Sequence, residues 1–234
     1  MSIKPNSDSK DLRNDLLLEF IYKLQNYYKD NKKIVFNISV ALLFIFLFII
    51  LIFYYNSNRN NEANKIFVKS MSYYKNGDKN LALIELEDVN KNFTSTKKGN
   101  LSNYFIGKIY FENKNMDDAV TYINKYINKG NSKSYLSSSF SMLAMIQSNN
   151  NNHLEAAKNF KKASELAISN SFKNRLLFQS LDSYLRAKEL KKSMRILEKM
   201  ENNEDIQNFQ KDDFDRYFNY YKILKEKSEK VFVE

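Results

Sequence analysis

The single imidazole of the chain, His153, follows a run of four asparagines, Asn149 to Asn152, and has no carboxylate or second histidine at a ligand or proton-relay spacing. Cysteine is absent, which excludes disulfides, zinc knuckles, thiol chemistry and a lipid-modified cysteine. Four glycines and one proline leave no Gly-rich phosphate loop and no nucleophile elbow. Neighbouring carboxylates do occur: Asp117 with Asp118, Asp212 with Asp213, Glu85 with Glu87. The first two pairs stand where helices are expected to start, and helix N-terminal charge complementarity accounts for them without catalysis. No constellation meets the geometric needs of an active site, so the chain is expected to be no enzyme, with no catalytic residue, metal or cofactor.

Charge and aromatic content raise a second chemistry. The net charge is +10, from 37 Lys+Arg and 27 Asp+Glu, beside 16 tyrosines and 18 phenylalanines. Yet basic and acidic residues are interleaved, and the aromatics follow a helical frame that a core requires. Stacking on bases and nucleic-acid binding are therefore not expected. What remains is the chemistry of apolar surface, and its elements are helices, because turn-formers are scarce.

A mean hydropathy of −0.56 with 43% hydrophobic residues implies one greasy segment beside a polar domain. From Ile34 to Tyr55 the chain carries no charge, and its only polar interruptions are Asn37 and Ser39. As a helix this stretch covers roughly 33 Å, enough for a hydrocarbon core of about 30 Å. Lys32 and Lys33 bound one end and the interfacial pair Tyr54 and Tyr55 the other. A leader of 33 residues precedes it and no small-x-small pattern follows, so an uncleaved signal anchor is expected. Lys23, Lys29, Lys32 and Lys33 precede the span and Arg59, Lys65 and Lys69 follow it. Their slight bias, with the length of the second domain, places the tail in the cytoplasm and the large domain outside.

Within the tail, Leu12, Leu16, Phe20, Leu24 and Tyr28 recur every four residues beside Leu17 and Ile21. This is an amphipathic helix, with Asp11 as its expected cap. It lies on the membrane surface or docks on a partner membrane protein.

Beyond the span the sequence repeats every 37 residues without an insertion. The small residues Ala82, Ala119, Ala156 and Ser193 are followed four places later by Leu86, Ile123, Phe160 and Leu197. Nine places before them stand Tyr73, Tyr110, Gln147 and Tyr184. Three more columns keep the frame: Ser70, Gly107, Ala144 and Leu181; Val89, Tyr126, Ala163 and Met200; Ile66, Asn103, Phe140 and Leu177. Each unit reads as a helical hairpin, with Gly107 and Ala119 at the close crossing of the second. The frame continues into Phe214, Tyr217, Phe218 and Tyr221, a lone terminal helix covering the last open face.

The second unit's Ile106, Gly107 and Tyr110 and the third unit's Ala156, Phe160 and Ala163 resemble the two signature elements of the tetratricopeptide repeat family. The period exceeds that family's roughly 34 residues, and the surplus is expected to lengthen the links between hairpins. The resemblance implies an all-α fold: one N-terminal transmembrane helix, then a tetratricopeptide-like solenoid of four hairpins and a C-terminal capping helix. Domain boundaries follow at 1–33 for the tail, 34–55 for the span, 56–62 for a linker and 63–234 for the repeats.

The resemblance also implies a ligand surface on the concave face of the first helix of each hairpin. By phase that face holds Phe67, Met71 and Tyr74, then Tyr104, Lys108 and Phe111, then Ser141 and Met145, then Phe178, Asp182 and Leu185. An apolar or extended polypeptide is the expected ligand, unless these side chains pack against neighbouring helices. Charge at Tyr104 and Phe111 is expected to weaken binding without unfolding.

The topology resembles the bacterial inner-membrane proteins typified by the ancillary subunit of the SecYEG translocon. That likeness implies a periplasmic repeat domain that meets translocon subunits, exported chains or chaperones. An envelope scaffold for cell-wall or outer-membrane assembly is the alternative.

Overall fold

The computed structural model describes residues 9–230, all of whose regular elements are helices. Helix α1 (Ser9–Asp30) precedes α2 (Lys32–Lys75), and nine more follow. A boundary between two compact units falls between Asn58 and Arg59.

In the first unit α1 begins at Ser9, so Asp11 lies inside the helix and is not its cap, a correction to the expectation above. Leu12, Leu16 and Leu17 lie outside the residues whose side chains are described. Phe20, Ile21, Leu24 and Tyr28 are exposed. Between Leu42 and Tyr55 every large apolar side chain of α2 is exposed as well, from Ile49 and Ile52 at 44% to Tyr54 at 75%. The helix is long and apolar enough to cross a membrane. Residues 56–62, set apart as a linker in the sequence, are helical and belong to the same α2.

The second unit is a stack of four helical hairpins. The last part of α2 pairs with α3 (Lys79–Asn92), α4 (Lys97–Glu112) with α5 (Met116–Lys129), α6 (Lys133–Asn149) with α7 (His153–Leu166), and α8 (Asn170–Arg186) with α9 (Leu190–Glu201). A short α10 (Glu204–Phe209), which the sequence frame did not foreshadow, leads into α11 (Lys211–Lys230). Phe214 is buried at the end of the stack, with Tyr217, Phe218, Tyr221 and Leu224 packed beside it.

Burial follows the 37-residue columns. Ala82, Ala119, Ala156 and Ser193 are fully buried, and so, nearly, are their partners Leu86, Ile123, Phe160 and Leu197. The reason is close approach: a Cβ on Gly107 would meet Ile123 Cγ1 at 2.8 Å and the Ala119 carbonyl oxygen at 3.3 Å. Serines tie neighbouring helices where they touch. Ser137 on α6 donates to the Ala163 carbonyl at 2.7 Å, and Ser180 on α8 donates to that of Ala157 at 2.8 Å, so α7 is held from both sides.

The hairpin turns repeat with equal strictness. Gly77, Lys114, Asn151 and Lys188, again 37 apart, all have positive φ, between 56° and 88°. In each turn the next residue's N–H reaches back five places, from Asp78 to Tyr73, Asn115 to Tyr110, Asn152 to Gln147 and Glu189 to Tyr184, at 2.8–3.0 Å. This closure satisfies carbonyls that the ending helix leaves open. It also fixes the angle at which the second helix returns. The links between hairpins, by contrast, span only residues 93–96, 130–132 and 167–169. The residues beyond the family's usual period therefore do not lengthen the links, as the sequence led us to expect; helices of 14 to 17 residues in the middle hairpins absorb them.

Candidate protein-binding site

The inner helices of the stack are α2, α4, α6 and α8, with α11 in the fifth place. Their side chains at equivalent positions do different things in the front and rear halves. In front, rings pack against one another. Phe105 is the hub: it meets Phe67 at 5.6 Å, Tyr74 at 6.2 Å, Tyr104 at 5.0 Å and Tyr135 at 5.8 Å between centroids. Tyr104 extends the array to Tyr135 at 4.8 Å and Tyr126 at 5.6 Å. Such edge-to-face and tilted pairs contribute about 0.5–1.5 kcal/mol each beyond burial.

A polar cluster closes the same end. The Tyr74 hydroxyl donates to Glu112 Oε1 at 2.7 Å, Lys79 reaches Glu112 Oε2 at 2.8 Å, and Lys108 lies 3.9 Å from Oε1 and 5.2 Å from the Tyr74 ring. Burial by itself would raise the Glu112 pKa, but the hydrogen bonds from Lys79 and Tyr74 outweigh it and hold the carboxyl below its ordinary value. Burial, then the Glu112 contact, pushes the Tyr74 hydroxyl far up. Three helices are joined here around one carboxylate.

Behind this ladder α6 carries serine at both register positions, and α8 returns to large side chains with Phe178 and Leu185. Ser141 stands where Phe67 and Tyr104 stand in front, and Ser148 where Tyr74 and Phe111 stand. A groove of about 460 Å³ opens there, between α6, α8 and the start of α11. Met145, Ser148 and Asn149 line one side, Arg175, Phe178, Gln179 and Asp182 the floor, and Asp213, Arg216 and Tyr217 the other side. Phe178 and Tyr217 pair at 5.8 Å. Burial raises the Tyr217 pKa, with Asp182 adding to it, so the hydroxyl stays protonated and able to donate.

Of the side chains predicted for the binding face, Met145, Phe178 and Asp182 come together in this groove. Met71, Tyr74, Lys108 and Phe111 are partly exposed at the front. Phe67, Tyr104 and Leu185 require correction. They are 5%, 6% and 1% exposed and pack between helices, so no ligand reaches them in this conformation. Charge at Tyr104 would fall in the core, so it is expected to destabilise the fold and not, as the sequence suggested, to weaken binding alone. Phe105, Arg175, Gln179, Arg216 and Tyr217 were missed as site residues. Only Tyr217 was named in the sequence, as part of the terminal helix. His153 opens α7, Asp117 and Asp118 lie in the first turn of α5, and Asp212 and Asp213 in that of α11. Among the described residues no group of three or more His, Cys, Asp or Glu side chains is placed to hold a metal.

A family model for the tetratricopeptide repeat-like domain matches residues 25–176. The chain belongs to the tetratricopeptide repeat-like family. No curated protein matches it. The matched segment takes in the apolar stretch of α2 as well as three hairpins. Tetratricopeptide-like arrays serve as protein–protein interaction modules, built from hairpins that bury a continuous core only by stacking. The rear groove opens between the middle and ends of three inner helices; a second opening of about 420 Å³ lies at the links on either side of α4 and α5, lined by Thr96, Leu101, Tyr126 and Tyr135.

Proposed function

We propose that the chain is a membrane-anchored, non-enzymatic protein-binding module whose tail is cytoplasmic and whose tetratricopeptide array works on the extracytoplasmic side of a bacterial inner membrane. There it assists protein export or recruits chaperones at the translocon, with an extended polypeptide in the rear groove. One observation carries the reading: an apolar helix stretch whose large side chains are all exposed, as contact with lipid would require, shares α2 with the first repeat. The charge bias around the span and the length of the array support the orientation.

Affinity purification of the full-length protein from mildly solubilised native membranes tests this reading, with Ser148→Tyr alongside. The added ring would occupy the groove as Tyr74 and Phe111 fill the corresponding place in front. Translocon subunits and exported chaperones are expected with the parent and lost with the variant. Recovery of cell-wall or outer-membrane assembly proteins instead would make the chain an envelope scaffold.

A further inference from the structure

The rear groove is electrostatically one-sided. Asp182 is already neutralised, since Arg186 Nε donates to its Oδ2 at 2.7 Å. Arg216 on the facing wall is paired with Asp213 at 2.9 Å. Arg175 is different: its guanidinium lies 5.0 Å from the centroid of the Phe172 ring and is in no ion pair among the described residues. Stacking of this kind orients the planar fork while leaving its donors free, the arrangement that suits a bidentate carboxylate.

The apolar part of the groove sits close by on the same helix. Phe178 and Gln179 follow Arg175 by three and four residues, about 4.5–6 Å along the axis.

We propose that the groove binds an extended polypeptide segment that carries an Asp or Glu side chain close to a bulky apolar side chain. Arg175 takes the carboxylate, and Met145 and Tyr217, backed by the buried Phe178, take the apolar group. Gln179, also on the groove lining, offers both a donor and an acceptor to the segment's main chain. With both groove carboxylates already paired, a basic segment finds no free partner. This inference rests on the reading of the groove as a polypeptide site and adds the sequence it selects.

A display library of random 12-residue peptides, fused through their carboxyl ends so that only side chains offer carboxylates, tests it on the full-length protein in detergent micelles. Arg175→Gln and Ser148→Tyr are run as parallel baits. The expected result is enrichment of peptides with an acidic residue close to a bulky apolar one. A synthetic representative should lose about tenfold or more in affinity when its acid becomes the amide, and equally on Arg175→Gln, as befits a charged hydrogen bond. Enrichment without an acidic preference, or undiminished on Arg175→Gln, overturns the inference; if Ser148→Tyr still abolishes that binding, the groove stands as a peptide site. No enrichment over empty micelles overturns both.

Discussion

The front and rear halves of the array share a backbone plan and differ in what their inner helices carry. In front, Phe67, Phe105, Tyr104 and Tyr135 pack edge to face along the inner helices, and the opening of about 420 Å³ beside them lies at the inter-hairpin links, lined by Thr96, Leu101, Tyr126 and Tyr135. At the rear, Ser141 and Ser148 stand in the same register and a groove opens beside them. A repeat architecture therefore does not distribute binding evenly along its concave side. Large side chains at two register positions of α2 and α4 build the ladder, whereas α6 has serine at both and Ser148 lines the groove.

The difference implies that front-half substitutions are read in stability and rear-half ones in binding. Tyr104→Ala removes the ring that links Phe105, Tyr126 and Tyr135, and should cost about 3–5 kcal/mol, as large-to-small changes at buried aromatics do. Urea unfolding followed by circular dichroism would show it. A Tyr104→Ala protein as stable as the parent would mean that the ladder is ornamental and the two halves alike.

The turns belong to both halves and sharpen the comparison by being indifferent to it. Gly77 has a φ of 88° with open space around its missing Cβ, so Gly77→Ala adds backbone strain and no clash. A loss of about 1–2 kcal/mol is expected. Lys114 and Lys188 bear that strain already, and replacing either with glycine should raise stability by up to about 1 kcal/mol, in front and rear alike. Unequal gains would show that the two halves close their turns differently.

The smallest effect concerns Glu112. Its side chain and that of Lys79 are about a third exposed, so Glu112→Gln should cost less than about 1 kcal/mol. The sign with pH is definite. Because the folded carboxyl is held below its ordinary value, its contribution is complete above the ordinary Glu range and fades as pH falls through the lowered value. The melting temperature of the parent should drop in that acid range more than that of Glu112→Gln, and parallel curves would remove Glu112 from the front-end cluster.

The fold was largely legible because the period samples each core position four times. Ala82, Ala119, Ala156 and Ser193 announce a close crossing together where any one alone would not. Helical phase placed Phe67, Tyr104 and Leu185 on the inner side, but it cannot separate a side chain facing solvent from one facing the next inner helix, which lies within the same turn. The groove was less legible. Arg175 has Leu101 and Ser138 at the equivalent positions of earlier units, so no column marks it. The left-handed turns hid for a related reason, since lysine at 114 and 188 carries none of the conformational signal that glycine does at 77.

The most direct measurement places a photo-activated crosslinker at position 179, on the groove floor, and separately at Thr121, exposed on the outer helix α5, in the full-length protein within native membranes. Crosslinked partner proteins at 179 and their absence at 121 are the result predicted. Equal crosslinking at the two positions, or partners captured at 121 alone, would contradict a rear groove as the binding site.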